Sequence, residues 1–212
     1  MFEKLTTGNP YGDEPESDEK AQVEEDIHQS EKAVEASQGS NTLRVDLSAN
    51  DDSLYVGTLY LGSPSQPVRV IFDTGSEHLA VATELCKDCK NKAFTLAQSK
   101  TKKMLSDDSK KVLYGSAKFQ GKETQDKTCI AKDNQCINFK FLSLQEAEGL
   151  GSGADGILGL SPEMSTDRND QHLVWSLMKQ KQISKASFSL SMADQGSFAI
   201  FGGSDYSQIV GG

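Results

Sequence analysis

Residues 68–76 read Val68-Arg69-Val70-Ile71-Phe72-Asp73-Thr74-Gly75-Ser76. Val68, Val70 and Phe72 alternate with Arg69 and Ile71, the two-residue period of a pleated strand, and Asp73 falls where that strand must turn. The run therefore specifies both a strand and the height at which a carboxylate leaves it. Thr74 and Ser76 are placed to donate hydroxyl hydrogen bonds near the acid, while Gly75 lets the backbone approach it in conformations other residues resist. Just upstream, Tyr55-Val56-Gly57-Thr58-Leu59-Tyr60-Leu61 stops at Gly62-Ser63-Pro64-Ser65-Gln66-Pro67. The two runs form a hairpin, which sets Asp73 inside the protein and not on a mobile tip.

Two carboxylates held a few ångströms apart cannot both ionise cheaply. They share one proton, and the ionised member can activate a water held between them. A lone acid lacks that device, and no second Asp-Thr-Gly, nor any Asp-Ser-Gly, occurs in the 212 residues. Asp73 is therefore expected to need a partner acid from elsewhere.

The net charge of −9 is unevenly placed. Residues 1–40 hold 11 Asp or Glu against 3 Lys, so nearly all the imbalance lies there. With few large apolar residues, segment 1–45 is expected to be an acidic, disordered extension, either a solubilising linker or a propeptide or inhibitory segment. Residues 46–212 are expected to form the folded part. Nucleic acid is not an expected partner, because nothing forms a basic patch. No apolar run approaches the roughly 20 residues that span a bilayer, and residues 1–40 hold no stretch resembling a signal peptide. No metal or cofactor is called for.

Four cysteines fall in two short-range pairs, Cys86/Cys89 and Cys129/Cys136. In an exported protein these are disulfides. In the cytosol, Cys86-Lys87-Asp88-Cys89 beside another pair invites a four-thiolate zinc site. Disulfides are favoured, because the second spacing is wider than a usual zinc knuckle; a redox role lacks a βαβ context.

Further along, residues 98–111 are rich in Ser, Lys and Asp and read as an exposed excursion of low structural content. Val112-Leu113-Tyr114 is the next strand, leading into Gly115-Ser116-Ala117-Lys118-Phe119-Gln120-Gly121, whose glycines suit a hairpin that can lean and move. Residues 137–144 alternate again, with Ile137, Phe139 and Phe141 on one side. Ala154-Asp155-Gly156-Ile157-Leu158-Gly159-Leu160 suits a buried strand pressed against neighbouring backbone. Asp155 is read as a loop-stabilising acceptor of backbone hydrogen bonds. Residues 172–181 form the one convincing helix, with Leu173, Val174, Leu177 and Met178 on its apolar face. A last hairpin runs from Phe188 to Gly203.

In this order, from about Ser53 to Tyr206, the pieces resemble the N-terminal lobe of the pepsin-like aspartic proteases. Phe72-Asp73-Thr74-Gly75-Ser76 is similar to that family's first catalytic motif, Ala154 to Leu160 to its Phe-Asp-Gly-Ile-Leu-Gly-Leu segment, and Ile200-Phe201-Gly202-Gly203 matches near the end. The resemblance implies a mostly all-β lobe, a closed, barrel-like sheet with one or two short helices, acting as an aspartic endopeptidase on peptide or protein substrates. It makes Asp73 the first catalytic aspartate, supported by Thr74, Gly75 and Ser76. It makes Tyr114 the flap tyrosine, followed by Gly115 and Ser116 in a hairpin that closes over substrate. Cys86 and Cys89 resemble the small disulfide loop after the first motif, with fewer residues between them.

The chain also departs from the pattern. Leu79 is followed by Ala80 where the family usually has Trp, whose ring supports the flap tyrosine, and Ala154 replaces a frequent Phe at the specificity pocket. Glu77 and His78 stand where small polar residues are common, and His78 is read as a solvated loop residue. By the resemblance, a second lobe with its own acid is expected beyond Gly212, or else a second copy of the chain supplies it. A non-catalytic peptide-binding module is the competing expectation. Secretion or an acidic vacuole or lysosome is the expected location.

Overall fold

The computed structural model describes residues 41–49, 54–114, 117–150, 153–162, 171–193 and 196–205. The acidic segment 1–40 lies outside them, as do Gly115 and Ser116. Ten strands are present among the described residues: β1 Leu43–Ala49, β2 Tyr55–Leu61, β3 Gln66–Asp73, β4 Leu79–Ala82, β5 Lys103–Tyr114, β6 Ala117–Ala131, β7 Asn134–Glu148, β8 Gly156–Gly159, β9 Phe188–Ser191 and β10 Phe198–Phe201. One α-helix, α1 Leu173–Lys179, and a short 3-10 turn, Leu96–Gln98, accompany them.

All ten strands join one sheet in the order β5-β6-β7-β4-β8-β3-β2-β1-β10-β9. A further short pairing sets Tyr60 and Leu61 of β2 against Cys129 and Thr128 of β6. Through it β6, β7, β4, β8, β3 and β2 form a ring of paired strands, and this contact is where the sheet returns on itself.

The alternation of β3 is the reason it can sit at the centre of this sheet. Val68, Val70 and Phe72 enter a large apolar cluster with Leu59, Phe139, Leu158 and Phe201, while Ile71 enters a second cluster with Ala80, Ala117, Phe119 and Ile157. Both faces of the strand are covered. Each fully buried Val, Leu or Phe contributes about 1.5–3 kcal/mol of transfer free energy, so a strand buried on both sides is held firmly. The alternation expected at Ile137, Phe139 and Phe141 is met, all three being buried in β7. On α1, Leu173 and Leu177 are buried, and Val174 and Met178 pack against the same large cluster.

Two expectations need correction. The folded part begins earlier than residue 46, since β1 starts at Leu43; Leu43, Val45 and Leu47 point into the core while Arg44 and Asp46 face water. Residues 103–111 are not an excursion but the greater part of β5. They pair with β6 from Lys103 opposite Gln125 to Tyr114 opposite Ala117, with an irregularity between Met104 and Ser109. This ribbon is largely exposed, so hydrogen bonding and not burial defines it, and burial is what the sequence pattern reports.

Both cysteine pairs are disulfides, Cys86–Cys89 and Cys129–Cys136. Cys129 and Cys136 face each other across the β6–β7 ladder, and no cysteine remains free for a zinc site.

Candidate active site

Strands β3 and β4 are consecutive in the chain, yet β8 lies between them in the sheet. β8 runs parallel to β3, with Asp73 opposite Gly159, and antiparallel to β4, with Leu79 opposite Leu158. Residues 74–78 must therefore cross the end of β8. Three backbone hydrogen bonds hold the crossing down: Leu160 N–H to the Asp73 carbonyl at 2.8 Å, Ser161 N–H to Ser76 at 2.9 Å and Gly159 N–H to His78 at 3.0 Å. A side chain at Gly159 has no room, because a Cβ there would lie 2.4 Å from both the Glu77 carbonyl carbon and the His78 nitrogen.

On this anchored loop the Asp73 side chain is half-buried, and its Oδ1 accepts the Gly75 N–H at 2.9 Å. That bond fixes the carboxylate against its own turn. Among the described residues, the hydroxyls of Thr74 and Ser76 make no hydrogen bond to it. Thr74 is exposed, and the Ser76 Oγ is buried without a hydrogen-bond partner among the described residues. The backbone of the turn, more than its hydroxyls, holds the acid here.

Asp155 has the role read for it. Its Oδ2 accepts the Arg69 N–H at 2.7 Å, its own N–H reaches the Arg69 carbonyl at 2.7 Å, and its carbonyl accepts the Ala82 N–H at 2.7 Å. This residue ties β3 to β4 just before β8 begins between them. Ala154 beside it is buried, and the Asn91 side-chain amide donates to its carbonyl at 3.3 Å.

Tyr114 ends β5 opposite Ala117, at the tip of the hairpin β5–β6. Ala117 and Phe119 of this hairpin share an apolar cluster with Ile71, the residue two before Asp73 on the same face of β3. The tip end of the hairpin thus shares an apolar cluster with the strand that carries the acid. Ala80 lies in that cluster too, fully buried.

His78 departs from expectation. It is half-buried, its Nδ1 has no hydrogen-bond partner among the described residues, and it lines a small pocket of about 50 Å³ with Lys110, Val112, Glu123, Phe141 and Gln171. The sequence offered no signal for this pocket, because lysines on an exposed strand read as a solvated face and their neighbours come from four separate segments.

The description "eukaryotic aspartyl protease" belongs to the family whose model matches residues 54–212. The chain belongs to the eukaryotic aspartyl protease family. Among its relatives, pregnancy-associated glycoprotein 2 of Sus scrofa is 33% identical over 73% of this chain and 38% of its own length. Pepsin A of Gallus gallus is 30% identical over 73% of this chain and 44% of its own length, and syncephapepsin of Syncephalastrum racemosum is 31% identical over 85% and 47%. The chain thus spans less than half the length of these aspartyl protease relatives. Its mostly β fold agrees with a pepsin-like lobe. No helix among the described residues is long and apolar enough to cross a membrane.

Proposed function

We propose that this chain supplies one half of the active site of an aspartic-type endopeptidase. The observation that carries the proposal is Asp73, delivered by a central strand onto a loop that β8 anchors, in a chain of the eukaryotic aspartyl protease family. Asp73 provides one carboxylate. Its partner acid comes from a second lobe or from a second copy, since the 212 residues hold a single Asp-Thr-Gly. One acid, ionised, removes a proton from a water as that water attacks the peptide carbonyl. The other, protonated, donates to the carbonyl oxygen, and the roles then exchange as the amine leaves. Thr74, Gly75 and Ser76 support the acid, and the hairpin carrying Tyr114, Gly115 and Ser116 closes over the peptide and excludes water. An acidic, oxidising setting such as a secretory or vacuolar route is part of the same proposal, and the two disulfides support it.

The test compares the native protein from its source with its Asp73→Asn variant, using an unfolded protein substrate at acidic pH. The expected result is cleavage by the first and none by the second, with both equally folded. Equal cleavage by the variant would overturn the assignment. A second reading, peptide binding without hydrolysis, is favoured by Ala80 and by the single acid motif. Peptide capture by the native protein with no turnover at any pH would establish it instead.

A further inference from the structure

We infer that the disulfide loop Cys86–Cys89 braces the β5–β6 hairpin and that Gln145 is the positioning residue linking the two, an inference whose effect on turnover rests on the peptide-cleaving reading of this lobe. β6 and β7 fall out of step at one place: Gln120 stands opposite Glu146 and Gly121 opposite Leu144, so Gln145 faces no residue of β6. A bulge of this kind frees the main chain of the extra residue to bond elsewhere and bends the strand that carries it. Here the Gln145 carbonyl accepts the Lys87 N–H at 2.9 Å, from inside the disulfide loop. The carbonyl before it, of Leu144, accepts the Thr83 hydroxyl at 2.9 Å, and the Thr83 carbonyl accepts the Cys86 N–H at 3.0 Å. Two consecutive carbonyls of β7 thus hold the chain on either side of Cys86.

The same bulged residue reaches the hairpin. Its side-chain Oε1 accepts the Ser109 hydroxyl of β5 at 2.8 Å, past the intervening β6. Apolar packing accompanies these bonds, because Cys86 and Cys89, both buried, share a cluster with Ala117, Phe119 and Ala147, and Val112 packs against it. From β4 that cluster receives only the methyl groups of Ala80 and Ala82, so the paired sulfurs are the bulk that β4 and the loop after it bring to the hairpin. At the surface, Asp88 lines one groove with Leu113 and Lys118. A ring with two residues between its cysteines has few conformations, and it keeps the Lys87 N–H aimed at Gln145; with the ring opened, ordering that donor costs more chain entropy. The hairpin therefore takes its position at mid-length from a covalently closed loop.

Amide hydrogen exchange of the native protein, read by mass spectrometry, tests the brace. In the double variant Cys86→Ala with Cys89→Ala, the amides of residues 109–114 and 117–120 are expected to exchange about tenfold faster, while those of β3 keep their native rates. Cys129→Ala with Cys136→Ala, at the far end of the β6–β7 ladder, is the comparison and is expected to leave the same amides within about twofold of native. Ser109→Ala, an exposed substitution, is expected to quicken residues 109–114 by about threefold, and it decides the matter should the first variant not fold. Unchanged hairpin exchange in the folded variants, or an equal rise in the hairpin and in β3, would overturn the brace. Peptide cleavage is followed in parallel, with KM expected to rise about fivefold in the Cys86/Cys89 variant and kcat to stay within about twofold. An unchanged KM beside faster hairpin exchange would overturn the positioning role. Faster exchange with no cleavage by any form of the protein would uphold the brace and overturn the hydrolytic proposal.

Discussion

Gly159 lies opposite Asp73 in the parallel β3–β8 pair, and the loop that follows the acid passes where a Gly159 side chain would be. The acid's position and the absence of a side chain at residue 159 are thus one structural fact. A Cβ at 2.4 Å from two backbone atoms cannot be relieved by a rotamer change, so the loop itself must move.

Gly159→Ala is accordingly expected to destabilise the protein by about 3 kcal/mol, read as a shift of the urea midpoint at constant slope. Gly75→Ala is the comparison, because its nearest contact would be the Asp73 Oδ1 at 3.3 Å. If Gly159→Ala costs no more than Gly75→Ala, the loop is not clamped as described.

Asp155→Ala removes the acceptor of the Arg69 N–H and leaves that donor unsatisfied in a part-buried place. The expected loss is about 1–3 kcal/mol, and Asp155→Asn, which keeps an oxygen in place, is expected to lose less. Equal losses in the two variants would show that packing and not the hydrogen bond matters.

For Tyr114→Ala, a residue at the hairpin tip, the expected outcome is a fall in turnover of about tenfold or more with a change in Tm of only about 2 °C. A large loss of Tm with little loss of turnover would make Tyr114 a packing residue.

The disulfides predict that the unfolded, unreduced protein contains no reactive thiol and that chelators leave its stability unchanged. Replacing Cys129 and Cys136 together by Ser is expected to cost about 2 kcal/mol, since the closed loop is short. Zinc-dependent stability would contradict this pairing.

Several of these features were legible in the amino-acid order. The acid at the end of an alternating strand, the buried stretch around Gly156–Gly159, the backbone-binding role of Asp155 and the helix at Leu173–Lys179 were read from periodicity and residue type. The strand of residues 103–111 was not, because an exposed ribbon of Lys, Ser and Asp has no buried face to impose a period. His78 was misread for a related reason. Its surroundings come from β5, β6, β7 and Gln171, segments whose meeting no local pattern announces.

By itself, then, the sequence determined which residues could carry the chemistry and where the strands could be buried, since both depend on side-chain type and local spacing. The tertiary structure alone decided that β8, some 86 residues beyond β3 in register, lies between β3 and β4. That insertion forces the Asp73 loop across the strand end, because hydrogen bonding between distant strands, and not local propensity, sets the order of a sheet.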